Sequence, residues 1–373
     1  MIAVLADDFT GAAELAGISL RYGLKVSLFT RDVKDTGADV LIVSSDSRSM
    51  NKEEALQETE RILTALIELN PTLVYKKTDS VMRGYVVDEL KLQQGMQGLK
   101  KIFYLPANPS LNRIIQNGKY YVGGQPIAET DFVNDPEFPV SSSSVKEILR
   151  DPDIAVLSPG SSLPATGFFV GEAVQTEDVE QWATSLDPYT LAAGAGDFFT
   201  AILLQQYTAI DKPDSELSLP IVYVCGTAYA AAVRFVQQAQ PDGWVEYLSQ
   251  NSMLHPERLD QDLVDSCKYR LQTHGKLILA IDGQMIPEGL SAPDLRASMA
   301  KVTQWILRRN IIHELFIEGG STAAAILEEL KISELEPVNE WQRGVVRMKY
   351  GNLFITVKPG SYALPEQIKQ LFS

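Results

Sequence analysis

MIAVLADDFTGAAELAGISLRY, residues 1–22, sets the reading of the whole chain. Ile2–Ala6 is a short unbroken apolar run, the mark of a buried strand, and from Thr10 to Tyr22 the apolar residues recur at helical spacing. ADDFTG, residues 6–11, joins the two. A strand turning sharply into a helix is the repeating unit of parallel α/β sheets. The alternation continues outward: 25–30, 40–44, 73–77, 102–106 and 154–158 read as strands, and 52–69, 86–96 and 198–207 as helices. It thins between 108 and 139, where 119–121 and 126–128 suggest a hairpin turning at Gly123–Gly124. AIDKPDSELSLP, residues 209–220, is polar, holds Pro213 and Pro220, and reads as a linker. Beyond it come strands 221–225, 277–281 and 314–317 with helices 228–239, 294–309 and 322–330, then antiparallel strands 345–348 and 353–357.

The expected fold class is therefore α/β, as two α/β domains, each with a mostly parallel sheet flanked by helices. The first covers 1–210 and the second 220–373, with an active-site cleft between them, since small ligands favour such clefts. The length of 373 residues fits two domains at roughly 100–200 residues each. Hydrophobic residues make up 45% and charged residues 22%, a globular composition.

Lysine and arginine number 33 against 48 acidic residues, a net charge of −15. That field repels phosphate backbones and anionic lipid, so neither nucleic acid nor membrane is an expected partner. An anionic ligand would need positive groups gathered locally. Cys225 and Cys267 are far apart and suit reduced cytosolic thiols, and the three histidines show no metal-ligand spacing, so no residue is assigned to a metal. The N-terminal apolar run is too short for a signal peptide, and no run approaches the ~18 apolar residues of a membrane span. The expected location is the cytoplasm. Oligomeric state is open, a homodimer included.

Chemistry concentrates where predicted strands end. Asp7 and Asp8 follow the first strand, where ligands of open α/β sheets bind. Asp8 or Thr10 can cap the following helix, and adjacent carboxylates do not normally face one target. One then serves as base or as ligand to a hydroxyl while the other caps; the plainer alternative is that both only shape the turn. YKKTDSVMRG, residues 75–84, places Lys77, Asp79, Ser80 and Arg83 at another strand end. Arginine can grip a carboxylate through two parallel hydrogen bonds, although an ion-pair cluster with Asp79 and Asp88 would use the same residues. GGST, 319–322, and CGTA, 225–228, share a strand–glycine–helix form that lets backbone approach a phosphate. KPGS, 358–361, either contacts polyphosphate or simply ends the sheet. GAGDFFTAIL, 194–203, looks like the anion-hole and catalytic-Asp motif of ribokinase-type sugar kinases, but a turn with an N-cap at Asp197 explains it equally well. Walker A, Rossmann, protein-kinase and nucleophile-elbow motifs are absent.

ADDFTGAAELA (6–16), KKTDSVMRGYVVDEL (76–90), LPANPSLNRIIQNGKYYVGGQPIAETDFVNDPEFP (105–139), CGTA, IEGGSTAAAIL (317–327) and VKPGSYALP (357–365) together resemble the four-carbon acid sugar kinase family over nearly the whole chain. The resemblance implies an ATP-dependent kinase, with Mg²⁺ on the phosphates, acting on threonate, erythronate or 3-oxo-tetronate. It implies a sugar-acid-binding N-terminal domain and a nucleotide-binding C-terminal domain. By motif, Asp8, or Asp7 in its place, would contact the substrate hydroxyls with Thr10 and act as general base. Lys77, Asp79, Ser80 and Arg83 would hold the acid, with Arg83 also counted in the catalytic set. Asn108, Arg113 and Asp131 would complete that pocket. Gly226, Thr227, Gly319, Gly320, Ser321, Thr322, Lys358, Gly360 and Ser361 would surround ATP. Ser321 stands where the family often has an acidic residue, and Tyr362 and Ala363 replace its usual Phe-Gly. Two rivals remain: a non-catalytic acid-binding sensor, and a ribokinase-type neutral sugar kinase using Asp197.

Overall fold

In the computed structural model, which describes residues 1–135, 138–210, 216–360 and 362–372, the opening strand–turn–helix forms with Asp8 as the N-cap of the helix. The chain divides into two compact units, Met1–Asp211 and Lys212–Ser373. Residues 211–215 of the linker stretch and Ser361 lie outside the described residues. Among the described residues, no helix is long and apolar enough to cross a membrane.

The first unit runs β1 (Ile2–Ala6), α1 (Phe9–Leu20), β2 (Val26–Phe29), β3 (Val40–Ser44), α2 (Lys52–Glu68), β4 (Leu73–Lys77), α3 (Val86–Gln97) and β5 (Lys101–Leu105). A small antiparallel sheet follows, β6 (Arg113–Gln116), β7 (Lys119–Val122) and β8 (Gln125–Pro126). Then come α4 (Val145–Leu149), β9 (Ala155–Leu157), β10 (Gly167–Gly171), α5 (Thr176–Thr184), β11 (Thr190–Gly194) and α6 (Gly196–Leu204). The main sheet of this unit has the order β2-β3-β1-β4-β11-β5-β10-β9, with parallel pairing throughout. Apart from the half-buried β9 and the first residues of β4 and β10, its strands are buried on both faces, so β1 and β3 read as continuous apolar runs. α1 is buried along almost its whole length because it is built from Ala, Leu, Ile and Gly. α2 is amphipathic: Ile62, Leu63 and Leu66 pack on Leu5 and Leu41 of the sheet, and an Asn51–Glu54 capping box starts it.

The predicted hairpin differs in detail. β7 does turn at Gly123–Gly124, but it meets only Gln125 and Pro126, and residues 127–129 form a 3₁₀ turn. Its longer partner is β6 on the other side. Strands β10, GFFVG, and β11, TLAAG, also go beyond the sequence reading. The alanines and glycine of β11 have low strand propensity, which burial between β4 and β5 overrides, whereas Phe168, Phe169 and Val170 of β10 favour a strand.

The second unit runs β12 (Ile221–Cys225), α7 (Ala230–Ala239), β13 (Val245–Tyr247), α8 (Gln250–Leu254), α9 (Gln261–His274), β14 (Lys276–Ala280), α10 (Ala292–Arg309), β15 (Glu314–Glu318) and α11 (Gly320–Glu329). It ends with β16 (Glu334–Gln342), β17 (Val345–Tyr350), β18 (Leu353–Lys358) and α12 (Glu366–Leu371). Its strand order is β13-β14-β12-β15-β18-β17-β16, parallel through β18 and antiparallel from β18 through β17 to β16. Tyr223, Phe316, Val236 and Ile278 centre its core. β16 lies outside the sequence reading: Pro337 and Asn339 interrupt its pattern, and the pairing with β17 shifts register between them.

Candidate active site

Register decides which residues meet. In the first sheet Ala6 pairs with Ser44 and Lys77, Lys77 with Gly194, and Gly194 with Leu105. The turns that follow those residues therefore leave one carboxyl edge together. From β1 the chain moves to β2 on one side, and it later enters β4 on the other. That makes the β1–β4 gap a topological switch point, where such sheets bind ligands. Asp7 and Asp8 stand at one lip and Thr78–Ser80 at the other.

The two aspartates have divided their roles. Asp8 Oδ1 accepts the Gly11 N–H at 2.8 Å, and Oδ2 accepts from Thr10 Oγ1 at 2.5 Å and Arg48 Nη2 at 2.6 Å. Burial alone would raise the Asp8 carboxyl, but Arg48, Lys77 and the two local hydrogen bonds outweigh it and hold it below the usual range. A Cβ at Gly11 would lie 2.7 Å from Asp8 Oδ1 and 3.0 Å from Lys77 Nζ, so those side chains would have to give way. Asp7 takes other partners. Its Oδ2 accepts the Asp79 N–H at 2.9 Å, and its Oδ1 is buried without a hydrogen-bond partner among the described residues. Burial pushes this carboxyl up to about 6, with Asp8 and Asp79 assisting and Arg48 and Lys77 opposing. A carboxyl titrating near neutrality with one oxygen free is equipped to take a proton.

Arg48, on the short turn Ser47–Ser49 after β3, escaped the sequence reading. It lies 3.8 Å from Asp7, 2.6 Å from Asp8 and 3.3 Å from Asp79. The signal available was positional: an arginine just past the carboxyl end of a strand, like Arg83. Arg83 is bound by the chain's own acids. It donates to Asp79 Oδ2 from Nε at 2.9 Å and to Oδ1 from Nη2 at 2.9 Å, and pairs with Asp135 at 2.7 Å. Asp79 would be raised by burial, yet Arg83 and Arg48 hold it well below the carboxylate range. Lys77 is likewise occupied, donating to the Thr78 carbonyl at 2.9 Å and lying 3.6 Å from Glu14.

The loop after β5 closes onto the same edge. Asn108 N–H donates to the Arg113 carbonyl at 2.7 Å, and Asn108 Oδ1 accepts the Asp197 N–H at 3.0 Å. Both Asp197 oxygens accept from Ser110, from N–H at 2.9 Å and from Oγ at 2.7 Å. Asp197 thus fastens this loop. Arg113 Nη1 donates to Ser80 Oγ, and Tyr120 OH donates to the Ser80 carbonyl at 2.6 Å. The site residues Thr10, Asn108, Arg113 and Ser80 therefore gather with Asp7, Asp8 and Asp79. Asp131 is exposed on the turn 131–134, and no hydrogen bond or ion pair joins it to them among the described residues.

In the second unit the same geometry recurs. Cys225 pairs with Glu318 and Glu318 with Lys358, so three adjacent strand tips end level. The switch point lies between β12 and β15. A cavity of about 800 Å³ opens there, and Gly226, Thr227, Gly319, Gly320, Ser321, Thr322 and Gly360 all line it. Its far wall is apolar, with Val233, Val236, Leu295 and Met299 beside Tyr247. Gly226 presses on α11: a Cβ would meet Thr322 Oγ1 at 2.1 Å. Gly319 is the N-cap of α11 at φ 111° with no side-chain cap, which leaves the first amides of that helix for a ligand. Lys358 is not part of the lining. Its ammonium pairs with Glu318 at 2.8 Å and donates to the carbonyls of Pro359 at 2.9 Å and Tyr362 at 2.6 Å, so it folds the loop that carries Gly360. Cys225 also lines the cavity, its thiol pushed up to about 11 by burial and by Glu318.

A family model described as a sugar-binding N-terminal domain matches residues 2–153. A D-threonate kinase of Salmonella typhimurium is 26% identical, covering 87% of this chain and 85% of its own. A 3-oxo-tetronate kinase of Methylobacterium radiotolerans is 22% identical over 88% of this chain and 87% of its own. A solved Salmonella typhimurium structure has a TM-score of 0.82 at 17% identity, covering 99% of this chain and 98% of that one, which speaks for the fold. The matched sugar-binding segment and the kinase relatives that span most of both chains make this chain similar to the four-carbon acid sugar kinases.

Proposed function

We propose that the protein is an ATP-dependent kinase that phosphorylates a hydroxyl of a four-carbon acid sugar, threonate, erythronate or 3-oxo-tetronate, in carbohydrate-acid catabolism. Its relatives' activities suggest the substrate class. The observation in this chain that supports the chemistry best is Asp7, a buried carboxylate raised to about 6 with a free oxygen at the β1–β4 switch point.

In this reading the first unit holds the sugar acid and the second holds ATP. The glycine turns and the α11 amides take the phosphates, and the apolar wall takes the base. The residues fit a nucleotide: backbone approaches without Cβ atoms, and no acidic side chain stands in the first turn of α11. Among the described residues no group of three or more His, Cys, Asp or Glu could hold a metal ion, and Asp282 is the carboxylate of the cavity lining. Mg²⁺ would arrive on the triphosphate, neutralise its charge, and meet the protein at Asp282. A substrate hydroxyl would lose its proton to Asp7 Oδ1 as its oxygen bonds to the γ-phosphorus and the bond to the departing ADP breaks. Asp8 and Thr10 keep the helix start and Arg48 in place. Free buried thiols at Cys225 and Cys267 suit a reducing compartment, and the cytoplasm is part of the proposal.

The test is ADP release from Mg–ATP with erythronate, threonate and their 3-oxo forms, beside calorimetry with each ligand alone. A kinase gives acid-dependent ADP release and a nucleotide binding signal. An acid sensor gives acid binding with neither, and would overturn the reading.

A further inference from the structure

The resemblance places Lys358 among the residues around ATP, yet its ammonium has no donor left for a phosphate. A lysine carries three donors. One meets Glu318 Oε1 at 2.8 Å, one the Pro359 carbonyl at 2.9 Å and one the Tyr362 carbonyl at 2.6 Å, with the Gly360 carbonyl 3.5 Å away. At 1% exposure the side chain lies beneath the phosphate cradle and outside the cavity lining.

Glu318 keeps it there. Sheet register sets Glu318 of β15 beside Lys358 of β18 and beside Cys225 of β12, two residues past Tyr223. Tyr223 OH donates to Glu318 Oε2, so both carboxylate oxygens are engaged. The main chain ties the same place to both neighbours. The Glu318 carbonyl accepts the Gly226 N–H at 3.0 Å, and the Gly319 N–H donates to the Lys358 carbonyl at 2.9 Å.

The loop after β18 takes its direction from this buried group. Carbonyl and N–H point opposite ways across a trans peptide. With the Pro359 carbonyl turned onto the ammonium, the Gly360 N–H is directed away from it, and that N–H has no acceptor among the described residues. Gly360 lines the cavity against the neighbouring turn, where a Cβ would lie 2.6 Å from Thr227 Oγ1. Outward N–H groups attract an anion, and carbonyl oxygens in their place would repel it.

We propose that Glu318, backed by Tyr223, is a positioning residue for ATP: it fixes the Lys358 ammonium under the cradle, where Lys358 acts on the triphosphate only through the carbonyls it gathers and the Gly360 N–H it turns outward. The proposal rests on the nucleotide reading of the second unit. It fixes the sign of one substitution. A lysine that touched phosphate would be released by loss of Glu318 and bind ATP as well or better. A lysine that works through the loop would lose its hold on the carbonyls, and ATP would bind less well.

The experiment measures Mg–ATP binding by calorimetry, steady-state kinetics and thermal melting on the full chain and on E318Q, Y223F and the double variant E318Q/K358M. E318Q should raise Kd and KM for Mg–ATP about tenfold, with kcat within about threefold and acid affinity unchanged. Y223F should shift them the same way by about threefold. The double variant has no unpaired buried charge, so its melting temperature should return toward wild type while its Kd stays raised about tenfold or more. A pair with a merely structural role would regain ATP affinity along with stability. E318Q binding Mg–ATP as tightly as wild type or more tightly, or a double variant of wild-type affinity, overturns the proposal; should E318Q not fold, the double variant decides. Wild type without a Mg–ATP signal ends the nucleotide reading and this proposal together. If wild type binds Mg–ATP yet releases no ADP with any acid, the kinase reading fails while the Kd ratios still decide Glu318.

Discussion

Asp7 Oδ2 accepts the main-chain N–H of Asp79 at 2.9 Å across the tips of β1 and β4, while Asp7 Oδ1 is buried and free among the described residues. Asp8, one residue on, has both oxygens engaged and is held acidic. Neighbouring identical side chains thus shift in opposite directions, the arrangement that a proton acceptor beside a structural anion would need.

Asp7→Asn should lower turnover by roughly two to four decades, the usual worth of a positioned base, with Mg–ATP affinity intact. Asparagine still offers an oxygen to the Asp79 N–H, so the fold should survive. Loss of nucleotide binding, or turnover near wild type, would contradict the role.

The same substitution should raise stability, with a definite pH dependence. Folded Asp7 keeps its proton up to about 6, whereas an ordinary aspartate releases it near 3.8. Between those values the folded chain binds the extra proton, so wild-type stability falls as pH rises through the window. The amide of the Asp7→Asn variant does not titrate there and loses nothing. Denaturant melts should show little difference at pH 4 and a gain for the variant by pH 7, at most about 3 kcal/mol. A variant less stable than wild type at pH 7 would refute the raised value.

Activity should follow the same group. The wild-type kcat/KM for the acid should climb about tenfold per pH unit below about 6 and level off above it. A profile flat between pH 5 and 8 would remove Asp7 as the base.

Much of the fold was legible because buried parallel strands are unbroken apolar runs. Ile2–Ala6, Val40–Ser44, Leu73–Lys77 and Ile221–Cys225 fall where the pattern put them. Thr190–Gly194 was not, since TLAAG is mostly small residues that only burial between neighbouring strands makes a strand, and Gly167–Gly171 went unread although Phe168, Phe169 and Val170 favour one. The site was half legible. Position at a strand's end marked Asp7, Asp8, Asp79 and the glycine turns. Which aspartate is free was not readable, because an N–H from residue 79 and a guanidinium from residue 48 settle it. KPGS read either as a phosphate contact or as the end of a sheet, and the pairing of Lys358 with Glu318, brought alongside by sheet register, was not readable.

Asp197→Ala should separate the two kinase readings. It strips Ser110 of both acceptors, so the loop carrying Asn108 and Arg113 loosens at a cost of about 1–3 kcal/mol. The KM for the acid should rise about tenfold and kcat should stay within about tenfold. A kcat collapse of three decades or more at unchanged KM would instead make Asp197 the base.

Gly226→Ala tests the phosphate cradle. The added methyl would meet Thr322 Oγ1, Cγ2 and Cβ at 2.1, 2.5 and 2.6 Å, forcing β12's turn and α11 apart. Overpacking of this kind costs about 1–3 kcal/mol. Calorimetry should show Mg–ATP affinity falling tenfold or more while acid affinity holds. Equal loss of both ligands would mean general unfolding rather than a damaged nucleotide site.

The most direct measurement is ³¹P NMR of the protein mixed with Mg–ATP and each four-carbon acid in turn. A phosphomonoester resonance should grow in step with ADP for at least one acid, and Asp7→Asn should suppress it. ATP left intact with every acid, or inorganic phosphate as the sole new signal, would contradict a sugar-acid kinase.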